Sequence, residues 1–492
     1  MRYKLIEKFH PGNKLIVGII LIFIFGLGLR LFSLGEEAYW NDEAAQILVA
    51  TSPSIKTLIA GTAAHTLAMP LDYIVTRIFA KFFLDPTILR LPSVIWSSFT
   101  IVIVAWYTSL LFAKERYMKF MVLFSAWLTA ITPIYIYYAQ EVRFYASMSA
   151  FFWLASACIL NFLTTPKFRN WIYVLISMLV GVFFHPFVLF AIVNVLFIFL
   201  LENQSLLVTL KNKRKEILML LAVFIFCVLV FLFWIRTANL TTSDKLDPFG
   251  IAKNITSFVL QGLNLKFVQF CADTKLFGAW EIFQGLLLIS SIAILIRKSQ
   301  SKLVVFLFIT IFSQVLVIAA VNIYRSYWII YRQIIYLIPY IYMLISKGMA
   351  SLIDYFHVGE NKTKQNVLVC ILVLSALVAV SGRWQEIYRT GKSNADEVAD
   401  SIINLPKLPD RILVDPGYEV KVYELYLGKL HHIDGIEILP FSINDIGPSQ
   451  STRVLILPGP IEEILPNITN YSEILAPQKR CAGNRFVYLL DN

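Results

Sequence analysis

The sequence predicts a mainly α, polytopic transmembrane helical bundle of about 11 spans, carrying a small C-terminal extracytoplasmic α/β domain. Three observations predict it. Of 492 residues, 58% are hydrophobic and 15% charged, with mean hydropathy +0.69; a soluble chain would carry about 25% charged residues. Apolar runs of about 20 residues, long enough to cross a bilayer, recur as far as residue 381. From Gly382 onward the hydrophobic runs shorten to about five residues bounded by Pro, Gly and Asp, as in strands. The chain therefore divides into a membrane domain, residues 1–382, and an α/β domain, residues 383–492.

The first span, Lys14 to Leu34, follows a basic N-terminus (Arg2, Lys4, Lys8). It is long enough to cross and no small-residue cleavage site follows it, so it reads as a retained helix rather than a signal peptide. Residues 46–65 are mixed in polarity and read as loop or short surface helices. Residues 70–84 are apolar but hold Asp72, Arg77 and Lys81, charges that suit a helix lying in the membrane interface. Spans follow at 92–112, 120–136 and 146–163. The run 171–201 is broken at His185-Pro186 and reads as a helical hairpin of two spans. The remainder lie at 217–235, 277–296, 303–321, 333–346 and 366–381. With the N-terminus cytoplasmic, the inner loops collect 19 Lys and Arg against six acids, the bias of cytoplasmic loops. A spanning 70–84 segment would throw most of those basic loops outside. In the C-terminal domain, strands are expected at 411–415, 452–457 and 485–490, and helices at 394–403 and 419–427.

The net charge of +11 follows from that loop bias, and no nucleic-acid partner is expected. Cys158, Cys227, Cys271, Cys370 and Cys481 show no metal-ligand spacing. No metal or other cofactor is expected, with a divalent cation left to experiment.

On this topology several costly groups meet on the outer face. Gly35-Glu36-Glu37-Ala38-Tyr39-Trp40-Asn41-Asp42-Glu43 puts four carboxylates directly after the first span. Taken alone it reads as a solvated acidic loop with an interfacial aromatic belt. Tyr135 to Tyr145 joins two spans and sets Gln140, Glu141 and Arg143 among four tyrosines, Tyr145 included. Ionisable groups at membrane depth are paired or functional; a Glu141–Arg143 or Glu141–Arg90 ion pair is the structural alternative. His65, Arg90, His185, Arg325 and Arg332 lie on the same side. Among the alternatives, His185 before Pro186 caps a helix break, and Arg325 and Arg332 anchor the outer leaflet. Together the acids and guanidiniums suit an anionic, lipid-borne substrate. Arg holds phosphate through its planar fork, and a carboxylate takes the proton of an attacking hydroxyl.

Four segments resemble the GT-C membrane glycosyltransferases, in particular the bacterial group related to dolichyl-phosphate-mannose–protein mannosyltransferases and to the lipid A aminoarabinose transferase. They are Trp40-Asn41-Asp42-Glu43-Ala44; Met69-Pro70-Leu71-Asp72-Tyr73 with Leu89-Arg90-Leu91-Pro92-Ser93; Thr132-Pro133 through Tyr138-Ala139-Gln140-Glu141-Val142-Arg143-Phe144-Tyr145; and Tyr331-Arg332-Gln333 through Pro339. The chain departs from the family at Ala68-Met69-Pro70, where a His precedes two prolines, and His65 lies upstream. The resemblance implies a GT-C-like bundle in the inner (plasma) membrane with its site extracytoplasmic. It implies Asp42 as general base with Glu43 as its substitute, Glu141 as a second active-site acid, and Arg332 on the phosphate. It further implies transfer of one sugar, with inversion, from a polyprenyl-phosphate donor to a glycan, lipid or protein acceptor. The rival readings are a transporter or lipid flippase, and a non-catalytic subunit of envelope polysaccharide assembly.

Overall fold

A computed structural model describes residues 13–64, 68–197, 206–237, 259–261, 263–265, 278–297, 301–325, 331–355, 362–389, 393–433, 435–442, 452–465, 471–476 and 485–490. His65, Cys271, Cys481 and the side chain of Arg325 lie outside them.

The first half of the chain is helical: α1 Asn13–Leu31, α2 Asn41–Ala50, α3 Ile55–Ala63, α4 Pro70–Ala80, α5 Pro86–Leu111, α6 Met118–Ile131, α7 Pro133–Ala139, α8 Tyr145–Thr164 and α9 Phe168–Phe184. A 3-10 segment, Pro186–Phe197, follows the expected break at His185. Later helices are Arg214–Thr237, Ala279–Arg297, Ser301–Arg325, Ile338–Tyr355 and Lys362–Arg389. Among the described residues seven helices are long and apolar enough to cross a membrane, or eight if the bent pair α6–α7 counts as one. Phe168–Phe184, Pro186–Phe197 and Lys302–Ile318 are shorter apolar segments. The protein is an integral membrane protein. With 11 residues, α4 is too short to span at 1.5 Å per residue.

Burial sorts the helices. The spans on α8 and at Arg332–Tyr355 are 89% and 100% buried, whereas those on α1, Arg214–Arg236 and Thr363–Tyr388 are 17% buried. Small residues in α8 (Ala150, Ala155, Ser156, Ala157) let neighbouring backbones approach. The outer helices turn Ile20, Leu21, Phe233 and Leu374 outward, as lipid-facing helices do.

One intramembrane charge is structural. Pro133 cannot donate to the carbonyl of Thr129, four residues back, and the chain bends by 55° between α6 and α7. Arg30, fully buried, fills the gap. Its guanidinium donates to the carbonyls of Thr129 (3.3 Å) and Ala130 (2.9 Å), and to Ser97 Oγ (2.8 Å). Arg30 thus fastens the kink that delivers the Gln140–Tyr145 segment.

The helix Lys362–Arg389 runs straight through Gly382, so the change in composition there falls inside a helix. Beyond it lies a five-stranded sheet of β1 Arg411–Val414, β2 Glu437–Pro440, β3 Arg453–Leu457, β4 Tyr471–Leu475 and β5 Phe486–Leu490, in the order β2-β1-β3-β5-β4. β1 runs parallel to β2 and β3, with Leu413 beside Leu455; β5 is antiparallel to β3 and β4. The helical segment 420–430, between β1 and β2, packs on α2, and the Tyr39 N–H donates to Tyr426 Oη at 2.8 Å. Tyr39, Ile47, Leu89 and Val142 share one buried cluster with Val422, Tyr423 and Tyr426.

Candidate active site

The site is built on the first turn of α2. Trp40 caps it, and Glu43 reaches back to the Trp40 N–H at 3.4 Å. Successive helical residues diverge by about 100°, so Asp42 and Glu43 point to different surroundings.

Glu43 points inward. Its carboxylate accepts from Arg90 Nε (2.9 Å) and Nη2 (2.8 Å), and from the Val142 N–H (2.8 Å). Both side chains of the pair are fully buried. The remaining Arg90 donors go to the carbonyls of Leu34, Glu37 and Ala38. This corrects two expectations. Arg90 has spent its guanidinium on the protein and is not a substrate ligand. Glu43 is the buried tie between α2, α5 and the 140–143 segment, not a substitute base.

Asp42 points to the open side and keeps 23% of its side-chain surface. Arg332 Nη2 donates to Asp42 Oδ2 at 2.5 Å, and Arg143 Nη2 lies 4.0 Å from the same oxygen. Both arginines stay partly exposed, at 12% and 17%. Each sits against aromatic faces: Arg332 is 4.8 Å from the Trp40 ring and 5.4 Å from Tyr145, and Arg143 is 5.3 Å from Phe144. Such stacking fixes a guanidinium without consuming its N–H donors. Arg143 Nε, Arg332 Nε and Trp40 Nε1 are buried with no hydrogen-bond partner among the described residues. Buried donors of this kind are costly unless something accepts from them.

The other expected residues fall around this centre. Glu141 is fully buried, contributes to the electrostatics of Arg332 and Tyr145, and its backbone carbonyl accepts from Ser93 Oγ at 2.5 Å. Gln140 turns to α1: its amide donates to the carbonyls of Arg30 and Phe32, at 3.1 and 2.7 Å, which ties its segment to the end of that helix. Tyr145 is buried under Arg332 as a platform. His185 is buried, stacks on Phe144 with ring centroids 4.2 Å apart, and accepts the Phe187 N–H at 3.3 Å. It caps the break, stacked on the residue that follows Arg143 in sequence, and the Arg143 charge acts on its ring. Among the described residues no group of three or more His, Cys, Asp or Glu could hold a metal ion.

Asp72 was not singled out as a site residue, yet it belongs here. Gln46 Nε2 donates to its Oδ2 at 2.6 Å, and it acts electrostatically on Arg143 and Tyr73. Burial pushes its carboxyl up to about 6, against opposing pulls from Gln46, Arg143 and Ser147. The available signal was the one acid of a mostly apolar helix, two residues past Pro70. A separate cavity of about 410 Å³ lies between the acidic loop and the C-terminal domain, lined by Glu36, Glu37, Tyr39, Asp85, Asp396 and Tyr426 among others; Asp42 and the two arginines do not line it.

Two comparisons find nothing: no family model matches the sequence, and no curated protein matches it. Solved structures do match. The chain is similar to ArnT from Cupriavidus metallidurans in the apo state, at 12% identity and TM-score 0.52, over 96% of this chain and 97% of that one. The same enzyme bound to undecaprenyl phosphate matches with TM-score 0.51, at the same identity and coverage. The oligosaccharyltransferase of Archaeoglobus fulgidus matches at 10% identity and TM-score 0.52, over 85% of this chain and 64% of that one. The fold is therefore the GT-C fold, a helical membrane bundle with a small C-terminal sheet.

Proposed function

We propose that this protein is a membrane glycosyltransferase that moves one sugar from a polyprenyl-phosphate donor to an acceptor hydroxyl, with inversion, at the extracytoplasmic face of the plasma membrane. The observation that carries the reading is the partly exposed Asp42 between Arg143 and Arg332, each arginine holding a buried Nε–H with no partner among the described residues. A donor phosphodiester bears one negative charge and leaves as a monoester that gains another. Two aromatic-braced guanidiniums with spare donors suit that gain, because preorganised donors aimed at developing charge need no reorganisation. Asp42 Oδ takes the acceptor proton, the acceptor oxygen bonds to the anomeric carbon, and the bond from that carbon to the phosphate oxygen breaks on the opposite face. Protonation of Asp42 weakens its hold on Arg332, which then turns its full charge to the leaving phosphate. The fold shared with a structure that holds undecaprenyl phosphate agrees with a prenyl-phosphate donor. Basic inner loops agree with an outward site.

The test is purified protein in nanodiscs given radiolabelled undecaprenyl-phosphate glucose, galactose or mannose and an envelope extract as acceptor. Transfer from one donor that stops in Asp42→Asn supports the reading. Movement of labelled lipid between leaflets, undiminished in Asp42→Asn and without transfer, would show a flippase instead.

A further inference from the structure

Building on the transferase reading, we infer that Asp72 is a specificity-determining residue: its carboxylate accepts a hydrogen bond from a hydroxyl of the sugar that the prenyl phosphate carries. The geometry is that of a prepared acceptor. Gln46 Nε2 pins one oxygen, Oδ2, at 2.6 Å. Gln46 is itself held by Thr76 Oγ1 at 2.9 Å, and the Thr76 hydroxyl donates to the Asp72 backbone carbonyl at 2.9 Å. Among the described residues the second oxygen, Oδ1, has only a long 3.5 Å contact from Ser147 Oγ. Asp72 is half-buried, between the buried Pro70, Tyr73 and Thr76 of its own helix.

Position argues for the sugar. Gln46 follows Asp42 by four residues on α2, and residues four apart share a helix face, so one face of α2 carries the base and the residue that orients Asp72. Arg143 interacts with both carboxylates. A phosphate held by Arg143 and Arg332 puts its attached sugar beside Asp72. Charge selects the group received. A carboxylate repels phosphate oxygens, and Arg143 already supplies a cation, which leaves a neutral hydroxyl as the complement. Burial holds the carboxyl near 6, so each hydrogen bond to its charged form counts. A partly buried, prepared acceptor of this kind discriminates between sugars that present a hydroxyl there and sugars that do not.

The experiment separates sugar from phosphate. Binding of bare undecaprenyl phosphate and of undecaprenyl-phosphate glucose, galactose and mannose is measured on wild type, Asp72→Ala, Asp72→Asn and Arg332→Met in nanodiscs. The expected result is a tenfold or greater loss for the preferred sugar lipid in Asp72→Ala, with bare undecaprenyl phosphate within twofold of wild type, while Arg332→Met weakens both lipids. Where Asp72→Ala does not fold, the isosteric Asp72→Asn takes its place, with preference among the three sugars flattened. Equal loss for bare and sugar lipids in Asp72→Asn, or no loss for either, overturns the assignment while leaving the transferase reading intact. A wild type that binds none of the four lipids overturns both.

Discussion

Asp42 and Glu43 are neighbours in sequence, both on the first turn of α2 and both paired with arginine, yet they live in opposite conditions. Glu43 and Arg90 are sealed, and nearly every donor and acceptor between them is spent on each other and on nearby backbone. Asp42 keeps a quarter of its surface, and its two arginines keep spare N–H groups. Both sides pair a carboxylate with arginine. Saturation is what separates a fastening from a site: a pair with nothing left to give can only hold the fold.

The comparison breaks most visibly at Asp42. Asp42→Asn keeps the shape and removes the proposed base, so turnover should fall by roughly a thousandfold or more. Binding of undecaprenyl phosphate and the melting temperature should stay near wild type. A variant within tenfold of wild type in turnover would remove Asp42 from the chemistry.

Glu43 should answer through stability. Glu43→Ala leaves Arg90 as an uncompensated buried charge, a loss of about 3–5 kcal/mol, read as reduced yield and a lowered melting temperature in detergent. The fraction that folds should bind undecaprenyl phosphate with wild-type affinity. If Glu43→Ala folds normally but loses turnover, the two carboxylates have been assigned in the wrong order.

Arg332 sharpens the open side. Arg332→Lys keeps the charge but loses the fork and the stacking on Trp40. On the proposed role as the phosphate's grip, turnover should drop by about a hundredfold, with weaker binding of undecaprenyl phosphate. An unchanged affinity for that lipid would move the phosphate elsewhere.

How much of this was legible in the sequence depends on the kind of information each residue needed. The break at His185-Pro186 was readable because proline removes a donor wherever it stands; the bend at Thr132-Pro133 falls inside what reads as one span, 120–136. The strands at 411–414, 453–457 and 486–490 lie within expected runs, while Glu437–Pro440 and Tyr471–Leu475 carried too little apolar pattern to be noticed. Arg143 and Arg332 were singled out from charge at a membrane edge. Arg90 was singled out on the same ground and misread, because a sequence shows a guanidinium but not how many of its donors are already taken. Asp72 was read for topology, as a charge that keeps 70–84 out of the bilayer, and its pairing with Gln46 exists only once α2 and α4 pack together. Arg30 escaped notice because its partners are backbone carbonyls about a hundred residues away.

Asp72 lies between the two extremes, half-buried and half-engaged, and pH should expose that. Its folded carboxyl titrates near 6, above the ordinary carboxylate value of about 3.9, mainly through burial. The folded state therefore binds this proton more tightly than the unfolded one. That stability is complete below the unfolded value and is lost as pH rises through about 6. Wild type should lose roughly 1–3 °C of melting temperature relative to Asp72→Asn between pH 4.5 and 7.5. A constant difference across that range would place Asp72 in a wetter setting.

The smallest expected effect is that of removing divalent cations. Asp42 has its charge met by Arg332 at 2.5 Å and Arg143 at 4.0 Å, and a cation would have to displace a guanidinium to reach it. Hard divalent ions want several oxygen ligands, and among the described residues no cluster of three or more His, Cys, Asp or Glu offers them. Protein dialysed against EDTA should keep its transfer rate within twofold, and added magnesium or manganese should not raise it. If the rate instead collapses and one cation restores it, Asp42 is a metal ligand before it is a base. The contrast with Glu43 would then be one of coordination rather than of spare hydrogen bonds.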